Sequence, residues 1–120
     1  MKTLKRILKK IFQMILLVIL LGLVAAVSLL VHEFGHCLTM NAVGGRCSGV
    51  YVLPGVQVWP LSEFGTPAEE PWGNYFGRTI YAEPAPGPFE EGLVSLMGSG
   101  SVALISTSVL RPIPIWTKGK

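Results

Sequence analysis

The chain has 120 residues, of which 50% are hydrophobic and only 14% charged, with a net charge of +3 and no aspartate. That composition lies towards the membrane side of the range for folded proteins. The cations form no patch interleaved with aromatics, which excludes a nucleic-acid surface, and two cysteines do not make a disulfide framework.

Residues 1–43 read as a basic start followed by one long helix. The opening "MKTLKRILKK" carries five cations, and residues 11–31 run for 21 positions without a charge. About 20 apolar residues suffice to cross the hydrocarbon core as a helix. A cleaved signal peptide is the rival reading, since the start is basic and "LVAAVS" offers small residues for cleavage. The apolar run exceeds the roughly 7–15 residues of a signal core, and cleavage near Ala26 would leave "HEFGH" almost at a free terminus. An uncleaved anchor is therefore expected.

The helix is predicted over residues 5–42, without proline, and "NAVGG" suits its C-terminal cap. Residues 11–42 alone would extend roughly 48 Å at about 1.5 Å each. A hydrocarbon core is about 30 Å thick. His32 and His36 are thus expected just inside the far boundary or just beyond it. Gly22, Ala25 and Ala26 form a small-residue face, for approach of another helix or for packing against the chain's second span.

The only two histidines of the chain close this run, in His32-Glu33-Phe34-Gly35-His36. This is an H-E-x-x-H pattern. Residues four apart on a helix share a face, so two imidazoles there can converge on one zinc ion at about 2.0–2.1 Å each. Glu33 follows the first histidine as a general base for a zinc-bound water, the arrangement for hydrolysing a peptide bond. Ionisable groups are costly in a span, by about 2.5–3.5 kcal/mol at a helix centre and less near its boundary. That cost favours function over a merely interfacial polar cluster. Cys37 follows the second histidine and Cys47 lies ten residues on; they could pair only if the chain turned back sharply, and unpaired thiols are expected.

Residues 44–92 form a connector with seven prolines and eight glycines before Gly92. "GVYVLPGVQVWP" reads as a hairpin or bent strand pair around Pro54-Gly55. The rest lacks clear periodicity. Trp59, Trp72, Tyr75, Phe76 and Tyr81 either lie at a membrane surface or pack against one another. Residues 93–120 hold a second apolar run, "LVSLMGSGSVALISTSVL", whose serines and glycines suit helix packing, and then a basic tail with Trp116. Cations at both ends and six glutamates against two arginines in the connector place both termini in the cytoplasm and the centre outside.

"HEFGHCLTMNAVGG" after an apolar segment resembles the first core helix of the site-2 proteases, the intramembrane zinc metalloproteases, and the likeness spans residues 31–59. "GVYVLPGVQVW" is similar to the short sheet that in this family receives the substrate as an added strand, and "LMGSGSVALIS" is a looser match to the next helix. The metzincin pattern fits less well, because it needs Gly and His where this chain has Thr39 and Ala42. The resemblance implies His32 and His36 as zinc ligands and Glu33 as the base. It also implies a third ligand, an aspartate in a later helix, which this sequence lacks. Glu63, Glu69, Glu70, Glu83, Glu90 and Glu91 are the remaining carboxylates, and none sits in a recognisable ligand motif. The third ligand is therefore unknown.

The expectation is an α-helical integral membrane protein with two transmembrane helices and a small extramembrane β-hairpin or loop segment. Its expected function is that of a site-2-protease-like zinc metallopeptidase acting on membrane proteins, truncated or incomplete. The alternative is a catalytically inactive, protease-derived subunit packed within a larger membrane complex. A metal-binding or metal-sensing membrane protein is a third reading. Expected partners are the lipid bilayer and other membrane subunits or a second copy, with no nucleic acid.

Overall fold

The computed structural model describes residues 2–109 of the backbone, with side chains from Leu4. The basic tail with Trp116 lies outside the described residues. Helix α1 runs Lys2–Ala42, strand β1 Arg46–Val52 and strand β2 Val56–Trp59. A single 3-10 turn, Leu61–Glu63, follows, then strand β3, Gly77–Glu83, and helix α2, Pro88–Val109.

With no proline to interrupt it, α1 continues for 41 residues, about 60 Å. It ends where Gly44 adopts φ 95°, a backbone conformation that favours glycine, and the Gly45 N–H closes on Met40 O at 3.0 Å. Both α1 and α2 are long and apolar enough to cross a membrane, and none of the most apolar stretch of α1 is buried. Helix α2 starts at Pro88, five residues earlier than the sequence boundary at residue 93. Proline is well placed in a first helical turn, where its missing N–H has no partner to lose. Glu90 and Glu91 in that turn complement the helix dipole.

The β element is larger than a hairpin. The three strands form one antiparallel sheet in the order β2-β1-β3. The expected hairpin around Pro54-Gly55 is present as β1–β2, with Val52 opposite Val56. Strand β3 comes from the stretch without clear periodicity, because its alternation divides between two different neighbours. Gly77, Thr79 and Tyr81 point one way, and Arg78 and Ile80 the other. Beyond β2, the segment after the 3-10 turn folds back along the free edge. Gln57 N–H donates to Thr66 O, Gly65 N–H to Gln57 O and Ala68 N–H to Gly55 O, at 2.8–2.9 Å. This covers one edge of the sheet, and β3 remains the other.

The cysteines correct the sequence reading. Cys37 and Cys47 are bonded to each other across the turn from α1 to β1, and neither is a free thiol. Their ten-residue separation is bridged because the Gly44-Gly45 turn sends β1 back against α1. The expected packing of small residues in the second span also appears, with a different partner from Gly22. Gly35 of α1 lies against Met97 O and the Ser101 side chain, and Ser101 Oγ donates to Val31 O at 3.0 Å. Gly22 faces open space, and Ala25 and Ala26 line an apolar cleft with Val52, Leu53, Val58 and Phe76. Of the aromatics, Trp72 packs on Tyr75 and Trp59 on Phe34, while Phe76 is exposed.

Candidate metal centre

One turn of α1, meeting α2 on one side and β3 on the other, holds all three residues of the motif. The helix sets His32 and His36 on one face, and their Nε2 atoms lie 3.1 Å apart. Two zinc–nitrogen bonds of about 2.0–2.1 Å at a tetrahedral angle would separate the nitrogens by about 3.3 Å. The pair is thus spaced for a shared ion.

Helix α2 fixes the second imidazole. His36 Nδ1 lies 2.7 Å from Val94 O, and opposite a carbonyl it donates. Its Nε2 is then left with a lone pair. His32 Nε2 either donates to that lone pair or, in the other tautomer, offers a second one to a common cation. A backbone carbonyl on the far nitrogen is the usual outer support of a ligating histidine. The histidine rings approach α2 at Gly98, which is buried, and a β-carbon there would overlap the His36 ring and lie 2.8 Å from His32 Cε1.

Glu33 belongs to the sheet side. It is only 7% exposed, and Thr79 Oγ1 donates to its Oε2 at 2.7 Å. The same hydroxyl lies 3.0 Å from the Glu33 backbone O. A β-carbon at Gly77 would stand 2.8 Å from Glu33 Oε1, so strand and carboxylate meet at close quarters. Tyr81, next on this face, has its phenol pKa raised above the ordinary value, by burial first and then by the Glu33 charge. A buried carboxylate needs such donors to stay ordered.

The other glutamates lie elsewhere. Glu63 accepts from Gln57 at 2.9 Å, Glu70 pairs with Arg78 at 3.1 Å and Glu83 with Arg46 at 3.5 Å. Glu69 lines the outer pocket of the sheet with Glu63 and Glu70, Glu91 lines a separate cleft beside Met40, and Glu90 lies by Gly87. Among the described residues no group of three metal-binding side chains comes together. The donor set therefore fits two ligands of a zinc ion and does not fit the three-plus-water set of a catalytic one. Thr79, Gly77, Val94 and Gly98 support the centre, and no sequence signal marked them, since they lie 44 to 66 residues from His32 or Glu33. Comparison of the chain with protein-family models, curated proteins and solved structures gives no match.

Proposed function

We propose that the chain is the metal-helix part of a site-2-protease-like membrane zinc metallopeptidase, with His32 and His36 as metal ligands and Glu33 as general base. The observation that carries this reading is the 3.1 Å approach of the two Nε2 atoms beside a buried, hydrogen-bonded Glu33. A bound zinc ion would supply Lewis-acid polarisation. The part of Glu33 is to take a proton from the attacking water and pass it to the leaving amine.

The sheet supports a membrane-protein substrate. A helical segment must be unwound before its amides can be attacked, and pairing with a strand edge gives the unwound backbone its hydrogen bonds. With β2 covered by residues 65–68, the edge that receives it is β3, the strand that also carries Thr79. Both apolar helices lie in the bilayer in this reading, with the termini cytoplasmic and the sheet outside. The five cations of the first ten residues support that orientation, as does the disulfide, which persists in oxidising compartments.

The test is a pair of proteins in liposomes, wild type and Glu33→Gln, offered a set of single-span membrane peptides and read by mass spectrometry. Cleavage by the wild type and a loss of 100-fold or more in the variant, at equal zinc content, is the expected result. Zinc-loaded wild type that leaves every peptide intact would favour the second reading, a protease-derived subunit without activity. The two-donor set is the observation on that side.

A further inference from the structure

The two halves of the centre are held by different neighbours. Helix α2 holds the imidazoles, through Val94 O on His36 Nδ1 and the close approach at Gly98. The sheet holds Glu33, through the Thr79 hydroxyl and the close packing of Gly77. We propose that the Cys37–Cys47 disulfide is a redox switch acting on the second half alone. Closed, it keeps the sheet on Glu33. Opened by a small thiol, it frees the carboxylate while the imidazoles stay in place. This rests on the reading above only for the role of Glu33, because the opening itself involves neither metal nor hydrolysis.

Three observations lead there. The first is where the bridge is anchored. Cys37 directly follows His36 on α1, and Cys47 lies in β1, the middle strand of the sheet. In the β1–β3 ladder Cys47 stands opposite Tyr81, two residues from Thr79, and Val50 stands opposite Thr79 itself. A shift of β1 away from α1 therefore carries Thr79 with it.

The second is the backbone around Cys47. The β1–β3 register breaks between Arg46 and Cys47 and again between Cys47 and Gly49, then runs regularly to Val52. Irregularities of this kind re-aim a side chain at the expense of local pairing. Here the sulfur of Cys47 is brought to α1, and the noncovalent tie beside it runs from the Cys47 N–H to Asn41 Oδ1 at 2.8 Å. The covalent bond thus stands where the ladder is least regular. With it open, the sheet keeps to the motif turn of α1 through side-chain contacts such as Thr79 on Glu33 and Trp59 on Phe34.

The third is access. Cys37 is only 2% exposed, whereas Cys47 is half-buried. An incoming thiolate therefore attacks Cys47 Sγ and forms a mixed disulfide there. The bond to Cys37 breaks, and Cys37 leaves with the electron pair and takes up a proton. A second thiolate then attacks the small-molecule sulfur of the mixed disulfide and releases Cys47. Two small thiols end as one disulfide, and the bridge ends as two thiols, a two-electron reduction.

The experiment takes the full chain in detergent micelles, without added metal, across a series of reduced-to-oxidised glutathione ratios. Alkylation and mass spectrometry give the fraction opened, hydrogen exchange follows the backbone, and NMR follows the carbon-bound ring protons of His32 and His36. The expected result is alkylation of Cys37 and Cys47 together, with both helices still folded. The β3 amides should then exchange about tenfold faster or more, and recover on reoxidation. The α1 amides next to α2 and the imidazole signals should hold. Cys37→Ser/Cys47→Ser should match the opened chain at every ratio. A bridge that opens only as the whole chain unfolds would overturn the switch, as would an opening that leaves β3 exchange unchanged. Loss of the imidazole signals along with β3 protection would also overturn it, making the bridge a staple of the entire centre. The cleavage assay described above, run on closed and opened chain, separates the two proposals. Cleavage at least tenfold slower in the opened chain is expected. No cleavage in either state, with the β3 response present, would sink the peptidase reading and leave the switch standing.

Discussion

Gly98 and Thr79 hold the candidate centre from opposite sides, and each does so with one atom or its absence. At Gly98 the missing β-carbon lets α2 lie directly against the imidazoles. Gly98→Ala therefore forces the helices apart or the His36 ring out of place. Overpacking of this kind typically costs about 1–3 kcal/mol, and it should be visible as a lowered thermal midpoint in detergent together with loss of zinc uptake. At Thr79 the hydroxyl is the donor to a buried carboxylate. Thr79→Val keeps the shape and removes that donor, which should cost about 1–3 kcal/mol of stability. Thr79→Ser should restore most of it. If the valine variant melts with the wild type, the Thr79–Glu33 bond does not hold the sheet on the helix.

The sheet and α1 act as one unit because two kinds of tie join them. The disulfide fixes the start of β1 one residue after His36, and the Thr79–Glu33 bond fixes β3 a turn earlier along the helix. A bridge closing a loop of this length stabilises by about 2–3 kcal/mol in the chain-entropy account. Cys37→Ser/Cys47→Ser should lower unfolding stability by about that amount. Its β3 amides should also exchange hydrogen faster, while those of α1 next to α2 keep their rate. Tyr51 and Tyr81 on this sheet provide a pH signature. The phenol pKa of each is raised above 10.0, by burial first, then by Glu63 and Glu69 for Tyr51 and by Glu33 for Tyr81. With a folded pKa above the unfolded one, their contribution to stability is complete below about pH 10 and is lost as the pH rises through the folded value. Absorbance at tyrosinate wavelengths should show a late-titrating component that shrinks in Tyr81→Phe.

At the scale of the molecule, packing is confined to one end. Helix α2 and the sheet pack against α1 from about Ser28 to its end, and the large apolar side chains between Leu4 and Val27 are exposed. So much exposed apolar surface needs a bilayer or other chains around it. If the charge pattern sets the orientation, the loop that covers β2 faces away from the cytoplasm. Ser62→Cys, placed in its exposed 3-10 turn, should react with a membrane-impermeant maleimide added to intact cells. Labelling only after the cells are opened would reverse the orientation and put the disulfide on the reducing side.

Local sequence was enough for whatever depends on short spacing. The charge-free run of residues 11–31, the glycine pair that ends α1, the Pro54-Gly55 hairpin and the i, i+4 histidines are each legible within a few turns of chain, because helix periodicity and turn chemistry are local. Only the tertiary structure decided the rest. It paired Cys37 with Cys47, drew β3 from a stretch with no clean pattern and chose Gly35 over Gly22 as the contact point for α2. It also put Thr79 on Glu33 and Val94 O on His36. These are meetings of residues 46 and 58 positions apart, and one-residue shifts of strand register or about 100° of helix rotation would undo them. Composition and local periodicity carry no record of which face turns to which neighbour.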